Sequence, residues 1–118
     1  MVSPVSIENR LVTLSKEVDE SHKDLINDES NFYSIKSQYE VSMAKSRLRY
    51  AAISSPTGKN YTVTEREDLA LVENEELHFE LGKAEAMVKA SRANAARIRT
   101  QVDIARSLGT SVRASLDL

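Results

Sequence analysis

Residues 54–60, Ser-Ser-Pro-Thr-Gly-Lys-Asn, hold the strongest loop signal in a chain whose composition is otherwise typical of long helices. Of the 118 residues only 5% are aromatic, 29% are charged, and the chain has 3 Gly and 2 Pro. A short loop between two long helices predicts an antiparallel hairpin. We therefore expect one all-α domain over residues 1–118, with a helix over about 4–54, a loop over about 55–63 and a helix over about 64–115.

The residues flanking each predicted helix supply capping signals. Ser3 is a suitable N-cap, and Pro4 follows at the first helical position, where its missing N–H costs nothing. Thr62 and Thr64 are each followed three residues later by Glu, so a capping box is possible at either threonine. Gly109 falls within the second helix and predicts a bend or the end of that helix.

Apolar residues in both helices recur at alternating intervals of four and three, the a/d pattern of a coiled-coil seam. The first seam contains Ile7, Leu11, Leu14, Val18, Leu25, Phe32, Ile35, Tyr39 and Ile53. It is interrupted by Ser21, Asp28, Ser42, Ser46 and Arg49. The second contains Ala70, Leu77, Leu81, Ala84, Val88, Ser91, Ala95, Ile98, Val102, Ala105, Val112 and Leu116.

One antiparallel register satisfies both packing and charge. It places Val18 opposite Val102 and Leu14 opposite Ala105, so that large side chains mostly face small ones. It also sets acidic residues 17–29 against the basic stretch 89–113. A parallel pairing would instead place acid largely against acid, so the charge pattern favours the antiparallel hairpin.

A row of arginines seven residues apart, which we call the arginine row, has two opposed interpretations. The row consists of Arg92, Arg99, Arg106 and Arg113. In the expected register it faces Glu29, His22, Ser15 and Glu8, which favours a salt-bridge border for the hairpin. The alternative is a face that binds anions or tracks a nucleic-acid backbone. Its candidate residues are Lys89, Arg92, Arg97, Arg99, Arg106 and Arg113.

Further apolar residues lie outside the seam, and a two-helix hairpin has no third layer to cover them. Contiguous exposed apolar surface usually marks an interface, so we expect copies of the chain to assemble into a helical bundle. The alternative is that an alanine-rich stripe is tolerated in water. The outer apolar positions are Val5, Val12, Ile26 and Tyr33 in the first helix, and Leu69, Val72, Phe79, Ala86, Ala90 and Ala93 in the second.

Signals for catalysis and cofactors are weak. Asp19 and His22, and likewise Glu75 and His78, have the spacing of two metal ligands on one helix face, but the expected register holds the two pairs apart. Gly58-Lys59 lacks the preceding glycine of a phosphate-binding loop. We predict no metal, no cofactor and no enzymatic activity.

Two stretches resemble small helical proteins of tailed bacteriophages that are encoded near recombination and replication genes. They are residues 61–71, Tyr-Thr-Val-Thr-Glu-Arg-Glu-Asp-Leu-Ala-Leu, and residues 97–107, Arg-Ile-Arg-Thr-Gln-Val-Asp-Ile-Ala-Arg-Ser. The resemblance covers about half of the chain and includes no catalytic motif. It implies an accessory role in phage DNA metabolism, such as loading or organising a single-strand-binding or annealing protein.

The functional prediction is a non-catalytic oligomeric interaction protein, acting as an accessory or mediator factor in phage DNA recombination or replication. The alternatives are direct binding of single-stranded or duplex nucleic acid through the basic helix face, and a phage structural or chaperone-like protein or inhibitor of a host protein. The net charge of −2 gives no overall attraction to nucleic acid or membrane. The absence of cysteine, of a signal-peptide pattern and of a long apolar run predicts a cytoplasmic protein with no membrane partner. The phage resemblance implies that this cytoplasm is that of a bacterial host.

Overall fold

A computed structural model describes residues 3–117, and this part of the chain is helical on both sides of one loop. Helix α1 spans Pro4–Ala52, α2 spans Val63–Glu73 and α3 spans Glu75–Leu116. The all-helical class is confirmed, since these residues contain no strand and only an isolated bridge between Ser54 and Asn60. The chain divides into two compact units, which are described separately. The terminal unit comprises residues 3–28 and 88–117, and the loop unit comprises residues 29–87.

Both sequence-predicted N-caps form in the structure. The Ser6 N–H donates to Ser3 Oγ at 3.1 Å, which satisfies one of the free donors at the start of α1. At the start of α2, Thr62 forms the capping box: the Glu65 N–H donates to Thr62 Oγ1 at 3.1 Å, and the Thr62 N–H donates to Glu65 Oε1 at 3.3 Å. Of the two possible starts for this helix, the structure therefore selects Thr62.

The loop after α1 closes through its own backbone. The Ser55 N–H donates to the Lys59 carbonyl at 2.8 Å, and the Gly58 N–H donates to the Ser55 carbonyl at 2.9 Å. Gly58 has a φ of 82°, in the left-handed region that side chains with a Cβ rarely adopt. This turn explains why the glycine is needed directly after Pro56-Thr57.

The core of the terminal unit is small and follows the predicted seam. Leu14, Ile98 and Ala105 form a buried cluster in which Leu14 is fully buried. Leu11 and Val102 pack against this cluster. The expected contact between α1 and α3 at Leu14 and Ala105 is thus present within this unit.

Gly109 does not end α3, which continues to Leu116, so the expectation of a helix end there was wrong. The residue is buried within the helix, and a Cβ added to it would lie 3.4 Å from Ile7 Cγ2. A side chain of one carbon would thus make an ordinary van der Waals contact with Ile7, so Gly109 packs beside Ile7. Ile7 is itself buried. The seam pattern alone did not distinguish a glycine that packs inside the helix from one that ends it.

A buried asparagine organises the polar interior of the loop unit. Asn74 is only 6% exposed, and its Oδ1 accepts a hydrogen bond from the Ser42 hydroxyl. Its Nδ2 donates to Ser46 Oγ at 3.0 Å and to the Ala70 carbonyl at 2.7 Å. Ser42 and Ser46 interrupted the apolar seam in the sequence because they serve as partners for this amide. All of its hydrogen-bonding atoms have partners, as a buried amide requires.

Asn74 also separates α2 from α3, whereas the sequence predicted one uninterrupted helix. Its φ of −106° and ψ of 25° depart from helical values. The Nδ2 group competes with the residue's own N–H for the Ala70 carbonyl, and such side-chain bonds disturb helices locally. The distortion is confined to this residue, because the His78 N–H still donates to the Asn74 carbonyl at 2.9 Å.

Replacing Asn74 by alanine is expected to destabilise the protein. Asn74→Ala removes the amide and leaves Ser42 without its acceptor, so the free energy of unfolding should fall by about 1–3 kcal/mol. Urea denaturation followed by helical circular dichroism measures the change. Ser34→Ala, at an exposed position of α1 in the same unit, is the matched control and should change stability by less than about 0.5 kcal/mol. Equal stability of the two variants would contradict a structural role for the amide network.

Candidate anion-binding groove

The terminal unit contains a groove between α1 and α3 on the side of the arginine row. Its volume is about 320 Å³, within the lower range of ligand-binding clefts. The lining is apolar at its base and charged at its rim. The lining residues are Val18, Ser21, His22 and Leu25 from α1, and Ala95, Arg99, Val102, Asp103 and Arg106 from α3.

The helical geometry of α3 places two guanidinium groups on this rim. Arg99 and Arg106 are seven residues apart, hence nearly aligned and separated by about 10.5 Å along the helix axis. Over residues 3–117, neither side chain has a hydrogen bond or an ion pair. The expected partners in the salt-bridge border were His22 and Ser15, neither of which is a carboxylate. Both arginines therefore keep their hydrogen-bond donors available to an anion.

The six residues of the predicted basic face do not share one face. Arg97 lies two residues from Arg99, so it is about 160° around the helix from the groove. Its guanidinium donates to Asn94 Oδ1 at 3.0 Å on its own helix. Lys89 and Arg92 are exposed but already take part in other polar interactions. Arg113 is exposed, one further heptad along the row from Arg106.

The histidine and serine beside the groove are not arranged for nucleophilic catalysis. The Ser21 hydroxyl donates to the Val18 carbonyl at 2.9 Å, so it is engaged by its own helix. An activated serine would instead bond to a neighbouring base. Among the residues that the structure describes, no group of three or more histidine and carboxylate side chains could hold a metal ion. Asp19 and Glu75, the carboxylates of the two spaced pairs, belong to different units.

Two arginines of the loop unit form ion pairs with glutamates, in contrast to Arg99 and Arg106 of the groove. Arg47 bonds Glu67 at 2.9 Å, and Arg49 bonds Glu73. The hydrogen bond from Arg49, followed by that from Ser46, lowers the pKa of the Glu73 carboxyl. The same pairing with Glu73 raises the pKa of Arg49. Since Ser46 also accepts from Asn74, this ion pair continues the buried amide network to the surface.

The predicted outer apolar residues are mostly exposed. In the terminal unit Val12 is 58% and Ile26 52% exposed, and Ala90 and Ala93 are exposed as well. In the loop unit Val72 is 70% and Phe79 58% exposed. Tyr33 and Ala86 share this exposure, and only Leu69 is half-buried.

Sequence reasoning missed Asp103 and the apolar base of the groove as parts of one site. Val18, Leu25 and Val102 had been placed in the seam, where apolar residues are expected to be covered. Val18 nevertheless remains exposed, and it opens the seam toward the arginine row. The signal was Ser21: a small side chain at a seam position leaves room that a large apolar residue would fill.

Comparisons with known proteins identify no relative. No family model matches the chain, and neither the curated proteins nor the solved structures include a similar protein. Over residues 3–117, none of the helices has an apolar stretch of the length needed to span a bilayer.

The Glu73 ion pair gives a testable pH dependence. A carboxyl whose pKa is lower in the folded state stabilises the fold at pH values above its ordinary pKa of about 4.3. This contribution is lost as the pH falls below that value and through the lowered folded pKa. Glu73→Gln should therefore reduce the loss of stability between about pH 6 and pH 3, measured as the urea midpoint at each pH. Glu76→Gln, an exposed neighbour on α3, should leave the acid sensitivity as in the wild type. If both variants keep the acid sensitivity of the wild type, the Glu73 carboxyl is not the source of that sensitivity.

Proposed function

We propose that the chain is a non-catalytic interaction protein: an antiparallel helical hairpin that works as a self-associating assembly. The observation that carries this proposal is the exposure of apolar residues at seven-residue spacing on the outer faces of the helices. Val5 and Val12 belong to one such row in the terminal unit, which Asp19 interrupts before Ile26, and Val72 and Phe79 belong to another in the loop unit. Heptad spacing keeps a row on one side of a helix, where a partner helix can cover it. A second copy offers the same heptad rows, so it is a partner of matching chemistry and geometry.

The energetics require several apolar side chains together. Burying a valine or phenylalanine side chain contributes about 1.5–3 kcal/mol, while association costs about 4–15 kcal/mol in lost translational and rotational freedom. One exposed side chain cannot offset that cost. Several of them together can do so. We therefore assign one candidate contact surface to each unit: Val12, Ile26, Ala90 and Ala93 in the terminal unit, and Tyr33, Leu69, Val72, Phe79 and Ala86 in the loop unit.

The proposed role is a binding one, because the groove offers charged donors and an apolar base without a hydrogen-bonded nucleophile and base. An accessory role in phage DNA recombination or replication stays a prediction of the resemblance in residues 61–71 and 97–107. Direct nucleic-acid binding is the second candidate, which the two available guanidinium groups of Arg99 and Arg106 favour.

Self-association is tested by the mass of the protein in solution. Sedimentation equilibrium across the micromolar range should give a mass that is a multiple of 13.2 kDa for the wild type. Val12→Asp/Ile26→Asp should lower that mass or shift dissociation to higher concentration, because carboxylates would have to be buried at the contact. Thr13→Asp/Asn27→Asp, at exposed positions of the same helix, adds the same charge and should leave the mass unchanged. A wild-type monomer throughout this range would refute the proposal.

A further inference from the structure

The groove of the terminal unit carries two cations that its own unit does not neutralise. Arg99 and Arg106 stand on its rim without an ion pair among the described residues. Asp103 lines the same groove, one turn from each arginine along α3. Its carboxylate reduces the local positive charge but bonds to neither guanidinium over residues 3–117. The rim is thus set for carboxylates from another chain.

The spacing of the two arginines matches carboxylates on a helix. A partner helix alongside α3 presents side chains seven residues apart at the same interval of about 10.5 Å. In the terminal unit, Glu17 and Asp24 have this spacing on α1, with Glu20 between them on the same side. Over residues 3–117, neither Glu17 nor Asp24 has a hydrogen bond or an ion pair.

These carboxylates cannot reach the groove of their own chain. Glu17 lies about 140° around α1 from His22, which lines the groove, and Asp24 lies about 160° from it. The cations and the acids therefore occupy different sides of the same unit. A second copy can bring its acidic side to the groove.

We propose that the groove around Arg99 and Arg106 binds the acidic side of α1 of a second copy, through Glu17 and Asp24. The inference rests on the proposed self-association and names one of its contacts. Because the groove and the acidic side are different surfaces, the contact is heterologous. Each copy can then use both surfaces at once, so the assembly closes into a ring or extends as a filament.

The groove suits an acidic helix better than a phosphate backbone. Its base is apolar, formed by Val18, Leu25 and Val102, and can accept the aliphatic part of a partner side chain. Its lining contains no Phe, Tyr or Trp, the larger platforms on which bases stack. The chain has a net charge of −2, which gives no overall attraction to a polyanion. Nucleic acid is therefore the competing occupant in the test.

A charge exchange between the two surfaces tests the contact. Arg99→Glu/Arg106→Glu and Glu17→Arg/Asp24→Arg should each raise the dissociation constant of assembly on the order of tenfold or more, because attraction becomes repulsion. An equimolar mixture of the two variants should restore assembly. In the mixture, the glutamates in the groove of the first variant can meet the arginines on α1 of the second. The unaltered groove of the second variant can meet the unaltered acidic side of the first.

Two controls separate this contact from general charge effects. Arg97→Glu/Lys16→Glu makes the same change of formal charge at exposed positions outside the groove and should assemble as the wild type does. Salt of about 1 M, where the Debye length is about 3 Å, should weaken the wild-type assembly. Circular dichroism of each variant confirms that the helices are retained.

The outcomes distinguish this inference from the proposed function. A monomeric wild type overturns both. A wild-type assembly that both charge variants retain overturns the inference alone and leaves the apolar rows as the contact. Failure of the mixture to recover overturns it as well. If the arginine variant assembles normally but loses salt-dependent binding of a labelled oligonucleotide, the groove belongs to nucleic acid and the inference is wrong.

Discussion

The need to satisfy one buried amide constrains which residues of the helices meet in the loop unit. Asn74 lies at a seam position between Ala70 and Leu77, where a coiled coil usually carries an apolar side chain. Its amide finds partners only when Ser42 and Ser46 lie beside it. Sliding the helices by one heptad would bury the amide without them, at a cost of about 1–3 kcal/mol. The polar network therefore fixes which residues of α1 lie opposite Asn74. A uniform apolar seam would allow several registers of similar energy.

The same network reaches the surface through an ion pair. Ser46 accepts from Asn74 and also lowers the pKa of the Glu73 carboxyl, which forms an ion pair with Arg49. Exposed ion pairs contribute little stability in isolation. Here the pair holds a carboxylate whose pKa Ser46 also lowers, and the buried amide bonds the same serine. Arg49, an interruption of the seam in the sequence, thus belongs to the polar arrangement and not to the apolar one.

Much of the fold could be read from the sequence because its main signals are periodic. Leu14, Ile98 and Ala105 are buried where the four-and-three spacing places them, and the capping residues Ser3 and Thr62 act as expected. What periodicity could not supply is the role of each exception. Gly109 and Asn74 both broke an apolar row, yet the glycine continues the helix against Ile7 and the asparagine distorts it. Only the atoms facing each residue decide between these outcomes, and those atoms lie on another helix.

The arginine row shows the same limit for the candidate site. Seven-residue spacing correctly aligned Arg99 with Arg106 but could not determine whether carboxylates would meet them. The two units resolve their charges differently: the loop unit pairs Arg47 and Arg49 internally, whereas the terminal unit leaves its groove cations without carboxylate partners among the described residues. A cation already held by its own chain loses that bond when it meets a partner, but an available one has no such bond to lose. The arginines of the groove can therefore bind a partner without first breaking an intrachain ion pair. This favours the groove as the contact that discriminates between partner chains.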